Sequence, residues 1–231
     1  MPFLWKISAR WGIALRILLA VCAFGWGECG GSHHASTAAA TAGLTINKQP
    51  VYFVKRVFDP AGPPADMPPL APGEGAECSS AFAANASVEG VAQPWDATHA
   101  TVTITHVVMT LELKITIWTP LHSTTQVMDH EEGHRQISGY YYQSADKLAE
   151  RIAATYVGQH LNVSGTNLAT ASQEALHKIA ADIDEQYNRV LNPRPAQVLY
   201  DSITDHGRNK VLAKDAAAQA LKNAAVETAG M

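Results

Sequence analysis

One short segment, His130-Glu131-Glu132-Gly133-His134, carries the residue types and spacing that most clearly suit catalysis, because it has the pattern His-Glu-x-x-His. On an α-helix, residues four positions apart lie on the same face, so both imidazoles can bind one metal ion. Two histidines and one further protein ligand leave a fourth zinc position for water, whose pKa the ion lowers to roughly 7. Glu131 then has the position of the general base for that water. The segment predicts a zinc site with Glu131 as the catalytic residue.

The residues around this motif favour a helix that positions it. Ser123 or Thr124 provides an N-cap, and a stripe of side chains at helical spacing follows, formed by Val127, His130, His134, Ile137 and Tyr141. Gly133 should weaken a helix by about 1 kcal/mol relative to alanine, which indicates that another group approaches the backbone there. The competing interpretation is a solvated helix face on which the pattern arose by chance.

A second motif, Tyr-Asp-x-x-Thr-x-His-Gly, occupies residues 200–207. Together with the His-Glu-x-Gly-His helix and a β-rich first half, it resembles a bacterial domain family of unknown function whose members are described as secreted zinc-dependent proteases. The resemblance covers roughly residues 45 to 212 and is carried by the two motifs. It implies a zincin-like metalloprotease fold in which His130 and His134 bind zinc, Glu131 acts as base, and His206 is the third ligand.

The residues themselves leave the third ligand open. His206 is a candidate on its own chemistry, because the adjacent Gly207 allows a close approach to the helix. Its rivals are carboxylates that would complete a site of two histidines and one acid, namely Asp201, Asp205, Glu174, Asp182 and Asp184. Asp129 or Asp201 is a candidate for orienting a ligand imidazole by accepting its other N–H. Tyr200 is a candidate for stabilising an oxyanion.

Composition bounds the rest of the molecule. The 231 residues are 47% hydrophobic, which is enough for a substantial core in one domain, predicted over residues 44–231. The net charge is −4, and no basic run is interleaved with aromatic residues, so we expect no nucleic-acid partner.

The N-terminus predicts export. Residues 1–30 have the pattern of a signal peptide, in which Lys6, Arg10 and Arg16 precede an apolar run, Ile17 to Phe24. That run is too short to span a bilayer of roughly 30 Å, so no stable membrane span is expected. A lipid anchor at Cys29 is disfavoured because Glu28 occupies the place of a small residue. Residues 31–43 are rich in Ser, His, Ala and Thr and predict a flexible linker.

The fold class predicted for the remaining chain is α+β, with a β-rich part at 44–120 and a helical part at 121–231. Strands are predicted at 51–58 and, from the alternation of apolar and polar residues, within 101–118, with a separate strand suggested around Val102 and Ile104. The proline-rich residues 59–75 predict a surface loop. Helices are predicted from about 124 to 157, from about 172 to 190, and over 213–226.

The function that these features predict is that of a secreted or periplasmic zinc-dependent metallopeptidase. It would hydrolyse peptide bonds with a zinc-activated water and Glu131 as general base, so its expected partners are protein or peptide substrates. The alternative is a non-catalytic periplasmic binding or assembly protein that a metal ion only stabilises. In that alternative Glu131 is dispensable, whereas the metallopeptidase requires it, so the need for Glu131 distinguishes the two hypotheses.

Overall fold

The computed structural model describes residues 39–41, 43–70 and 73–229, in an α+β arrangement of one six-stranded sheet and five helices. The predicted signal peptide and most of the predicted linker lie outside the described residues. The strands are β1 (Ala39–Thr41), β2 (Leu44–Lys48), β3 (Tyr52–Phe58), β4 (Glu77–Pro94), β5 (His99–Pro120) and β6 (His160–Ser164). The helices are α1 (Thr125–Gln143), α2 (Ala145–Ala154), α3 (Leu168–Val190), α4 (Arg194–Thr204) and α5 (Ala213–Ala229).

The sheet is organised around β5, the strand whose alternation is clearest in the sequence. β4 pairs with it antiparallel along nearly its whole length, while β6, β2 and β3 follow one another along its other edge. The two strands predicted within 101–118 form this single continuous strand. Within it, a bulge opposite Glu89 and Gly90 leaves Thr105 unpaired with β4. The extra residue shifts the alternation, so Ile104 and Val107 both face the core.

The helix predicted from about 124 to 157 is interrupted, and this prediction of one continuous helix is wrong. α1 ends at Gln143 and α2 begins at Ala145, with Ser144 in a non-helical conformation between them. Lys48 stabilises the break because its Nζ donates to the Gln143 carbonyl at 2.7 Å and pairs with Asp146 at 3.0 Å. The contact comes from β2, so no local pattern in the helix predicts it.

Two cores hold the helices in place. The larger lies between one face of the sheet and the buried sides of α2 and α3, with Tyr142 and Tyr187 among its largest side chains. The smaller joins α1, α4 and α5 through Ile137, Tyr200 and several alanines of α5. Small alanine side chains allow close packing, so α5 and α1 hold α4 beside the His-Glu-x-x-His segment. Among the described residues, no helix combines the length and apolar composition that crossing a membrane requires.

Asp184 on α3 makes folding stability depend on pH. Its Oδ1 is buried without a hydrogen-bond donor, and although the N–H of Ala86 bonds the carboxylate, burial dominates and raises its pKa to about 6. Between its ordinary pKa of 3.8 and about 6, the unfolded chain releases this proton before the folded chain does. The free energy of unfolding therefore falls as pH rises through this window. Above the window, the contribution of Asp184 to stability stays at this lower value.

Replacing Asp184 with asparagine should remove that loss. We expect the melting temperature of Asp184→Asn to exceed that of the parent at pH 8, and the difference to shrink towards pH 4. Glu185→Gln is the control, because it also removes one negative charge from α3 but at an exposed position. A pH-independent difference between Asp184→Asn and the parent would contradict this explanation.

Candidate metal centre

Helix α1 presents the His-Glu-x-x-His segment on its buried side. Thr124 caps the helix as predicted, since its Oγ1 accepts a hydrogen bond from the N–H of Val127 at 3.3 Å. His130 is 6% exposed and Glu131 is 5% exposed. Ionisable side chains are rarely buried to this extent unless they are paired or bind a metal. The burial therefore excludes the interpretation of the segment as a solvated helix face.

Three ligand atoms converge in this segment. His130 Nε2 and His134 Nε2 are 3.2 Å apart, and Asp201 Oδ1 lies 3.5 Å from the first and 3.0 Å from the second. Tetrahedral zinc with bonds of about 2.0–2.2 Å separates its ligand atoms by about 3.3–3.5 Å. Three corners of such a site are therefore already in place, and His130, His134 and Asp201 form a group that could hold a metal ion.

The surroundings of Asp201 Oδ1 are a second observation at this position. The atom is buried and receives no hydrogen bond, although His134 Nε2 is only 3.0 Å away. The ring nitrogens are thus not aligned to donate to this oxygen. A buried carboxylate oxygen without an aligned donor needs a positive charge beside it, which either a protonated imidazole or a metal ion at this position would supply.

Side chains behind the two imidazoles set their tautomers. Gln197 donates from Nε2 to the His134 carbonyl (3.1 Å) and Ser138 Oγ (3.0 Å), so its Oε1 faces His134 Nδ1 at 2.6 Å and accepts from it. Thr204 Oγ1 donates to the Tyr200 carbonyl at 2.8 Å and lies 3.4 Å from His130 Nδ1. With protons on Nδ1, both neutral rings present the Nε2 lone pair to the ion.

A proton and a metal ion would compete for the imidazole of His134. Burial opposes a charge on His134, yet the adjacent Asp201 carboxylate outweighs it and raises the pKa of His134 to about 8. Burial likewise opposes ionisation of Asp201, but His130 and His134 hold the pKa of its carboxyl well below its usual range. A metal ion would displace the histidine proton, so its binding should release protons at neutral pH.

Glu131 faces a group of acidic side chains. Burial raises its pKa to about 8; His134 opposes this shift, and the carboxylates of Glu77, Glu74 and Asp201 add to it. Burial also raises the pKa of Glu77 to about 7, with Glu74 adding to the effect. Glu74 and Glu77 lie near the site, but the sequence did not predict this. Glu74 is in the proline-rich loop and Glu77 begins β4, and neither segment contains a recognisable motif.

Tyr200 packs against the turn of α1 that carries His130 and His134. Its side chain is fully buried, its hydroxyl donates to the His130 carbonyl at 3.0 Å, and its ring stacks on the His130 ring at 5.1 Å. A Cβ on Gly133 would overlap this hydroxyl, which confirms the predicted close approach to that glycine. Tyr200 therefore supports the helix backbone, and its hydroxyl does not have the position of an oxyanion donor.

Gly207 brings the end of α4 against His130. Its φ is +75°, and a Cβ there would lie 2.9 Å from His130 Cγ. His206, next to it, points to a different group, since its Nδ1 lies 3.2 Å from Glu74 Oε1. Glu74, Asp201 and His206 form a second potential metal-binding group, while the group around His130 and His134 takes Asp201 as its third member.

The remaining candidates lie elsewhere. Asp205 is exposed and pairs with Arg208 at 3.8 Å, and Asp129 is exposed without a hydrogen bond to either motif histidine among the described residues. On α3, Asp182 accepts from Tyr156, and Asp184 packs against β4. Glu174 is exposed on the same helix. The structure brings none of these five into either potential metal-binding group among the described residues.

Gln197 and Thr204 make the contacts to the two imidazoles that were predicted for Asp129, and the sequence did carry a signal for them. Gln197, Asp201 and Thr204 are spaced i, i+4 and i+7, which places them on one face of a helix. This spacing is informative only if residues 194–204 are helical, and the sequence pattern did not predict a helix there.

Removing the Gln197 side chain should weaken zinc binding. Supporting groups of this kind are worth about 10–100-fold in metal affinity, so we expect Gln197→Ala to lose that factor in competition with a chelator of known affinity. Ser202→Ala, on the exposed face of the same helix, should retain the parental affinity. Equal affinities for the two variants would show that Gln197 does not set the His134 tautomer.

Comparison with protein-family models, with curated proteins and with solved structures found no match. The resemblance to secreted zinc-dependent proteases stays a prediction, and function has to be argued from the site itself.

Proposed function

We propose that the chain is a zinc-dependent metallopeptidase with a zincin-like fold, which hydrolyses peptide bonds in protein or peptide substrates after export to the periplasm or the medium. The observation that carries the proposal is the triangle of His130 Nε2, His134 Nε2 and Asp201 Oδ1, with edges of 3.0 to 3.5 Å. Two imidazoles and one carboxylate form a ligand set that zinc favours in catalytic sites.

The three residues would hold the ion, and Glu131 would move the proton. Bound zinc would supply Lewis acidity, which polarises the scissile carbonyl and acidifies water. Glu131 is the next residue after a ligand, is 5% exposed, and receives no hydrogen bond from any described residue. Because a cation beside a carboxyl lowers its pKa, the raised pKa of Glu131 would fall next to the bound ion, and the ionised carboxylate could take a proton from the attacking water and pass it to the leaving amine.

Gln197, Thr204 and Tyr200 would keep the site from rearranging between these two proton transfers. Gln197 and Thr204 contact the Nδ1 sides of the two imidazoles, away from the metal position, and Tyr200 stacks on the His130 ring. Holding ligands within fractions of an ångström is what preorganised sites require. A group of three ligands, and the buried carboxylate of Glu131 beside it without a hydrogen-bond donor, favour catalysis over a metal that only stabilises the fold.

The test is peptide hydrolysis by the purified chain after chelator treatment and after reloading with zinc. The substrate is fluorescently labelled, unfolded casein, and new amino termini are quantified. We expect hydrolysis only in the reloaded sample. Tight zinc binding without hydrolysis of casein or of a mixed peptide library would contradict a peptidase and support the binding or assembly protein.

A further inference from the structure

The second group of potential ligands, Glu74, Asp201 and His206, shares one residue with the first. Its ligand atoms all lie within 4.8 Å of one another, and His206 Nδ1 is 3.2 Å from Glu74 Oε1. Asp201 belongs to both groups, and a carboxylate can bind two ions through its two oxygens. The geometry of two adjacent ligand sets joined by a carboxylate is that of a two-metal centre.

Both segments that bring these ligands together are held by contacts of their own. The backbone at His206 has a φ of 51°, and Gln126 Nε2 donates to the carbonyls of Gly207 (2.7 Å) and Asn209 (2.9 Å). Arg208 donates to the Gly73 carbonyl at 3.2 Å and so joins the loop that carries Glu74 to the end of α4. The Glu74 and His206 contact is therefore built by residues that do not belong to it.

Charge and burial point to a second cation as well. Glu74, Glu77, Glu131 and Asp201 lie within electrostatic range of one another, so the two ligand groups adjoin four acidic side chains. The Asp201 Oδ1 atom, which belongs to a residue of both groups, is buried and has no hydrogen-bond donor. A nearby cation stabilises such a carboxylate oxygen.

We propose that Glu74, Asp201 and His206 bind a second divalent cation next to the first, with the Asp201 carboxylate bridging the two. The proposal rests on the proposed function only in assigning the first ion to His130, His134 and Asp201. One imidazole and two carboxylates suit zinc or manganese better than a thiolate-selective ion. Two ions bridged in this way usually lie about 3.5–4 Å apart.

The test is the number of zinc ions bound per chain, measured by elemental analysis after equilibration at fixed free zinc. We expect two in the parent and in Asp205→Asn, and one in Glu74→Gln and in His206→Asn. Asp205→Asn is the matched control, because it removes a charge one residue from His206 and asparagine tolerates the φ of 49° there. His206→Asn likewise preserves the backbone, and circular dichroism checks the fold of every variant.

Each other outcome has a distinct meaning. One ion in the parent that Glu74→Gln retains would overturn the second site and leave the first intact. One ion that His206→Asn loses would make His206 a ligand of a single centre and also overturn the proposal. No zinc in the parent would instead refute the proposed function. As a second readout, the cobalt-substituted parent should show magnetic coupling between its ions that Glu74→Gln abolishes.

Discussion

Replacing Glu131 with glutamine should abolish peptide hydrolysis while zinc stays bound. The amide has nearly the same shape but cannot accept the proton of the attacking water. General acid–base catalysis contributes typically about 10²–10⁴-fold, so we expect the hydrolysis rate to fall by at least that factor. Zinc content should remain that of the parent, because Glu131 is not one of the residues grouped around the metal position.

Glu132→Gln is the matched control for this variant. Glu132 is the next residue of α1, and Arg135 donates to its carboxylate at 2.8 Å on the far side of the motif. An ion pair of this kind is worth roughly 0–1 kcal/mol, so both activity and zinc content should stay close to parental. Hydrolysis that survives in Glu131→Gln would assign the proton transfer to another group, with Glu77 the first to test.

Replacing Gly133 with alanine should destabilise the whole protein, although helix propensity alone predicts the opposite by about 1 kcal/mol. The new methyl group would overlap the hydroxyl of Tyr200, which is fully buried and cannot move outwards. Overpacking costs about 1–3 kcal/mol. Displacing the Tyr200 hydroxyl would also break its buried hydrogen bond to the His130 carbonyl, which costs about a further 1–3 kcal/mol. After the gain in helix propensity is subtracted, we expect the free energy of unfolding to fall by about 1–5 kcal/mol.

Gly139→Ala is the matched control, because it makes the same substitution on the same helix at a position that does not contact Tyr200. A Cβ on Gly139 would meet nothing within 4 Å, so this variant should be neutral or slightly more stable than the parent. Denaturant unfolding of both variants gives the comparison. If the two glycine variants had equal stabilities, Tyr200 would not be fixed against α1.

The parts of the molecule that local patterns determine could be predicted. Alternation in β5, the cap at Thr124 and the two histidines four residues apart each depend on neighbours in the sequence, and the structure confirms them. The unusual glycine at 133 even indicated a close contact, although only the structure shows that Tyr200 makes it.

The partners of the motif could not be predicted, because they depend on how α4 ends. Asp201 is on the last turn of α4, whereas Asp205 and His206 have left-handed backbones that turn the chain away from the helix. Asp201, which contacts His134, and His206, which contacts Glu74, are therefore only five positions apart in the sequence. Nothing in the spacing of the second motif reveals this reversal, so His206 and Asp201 remained alternatives.

The most direct test of the metal centre is the zinc affinity of Asp201→Ala and His206→Ala, each measured against the parent by chelator competition. If His130, His134 and Asp201 form the principal site, Asp201→Ala loses stoichiometric zinc and His206→Ala still binds one ion with nearly parental affinity. The contrary result, parental affinity in Asp201→Ala and none in His206→Ala, would show that His206 and not Asp201 completes the site.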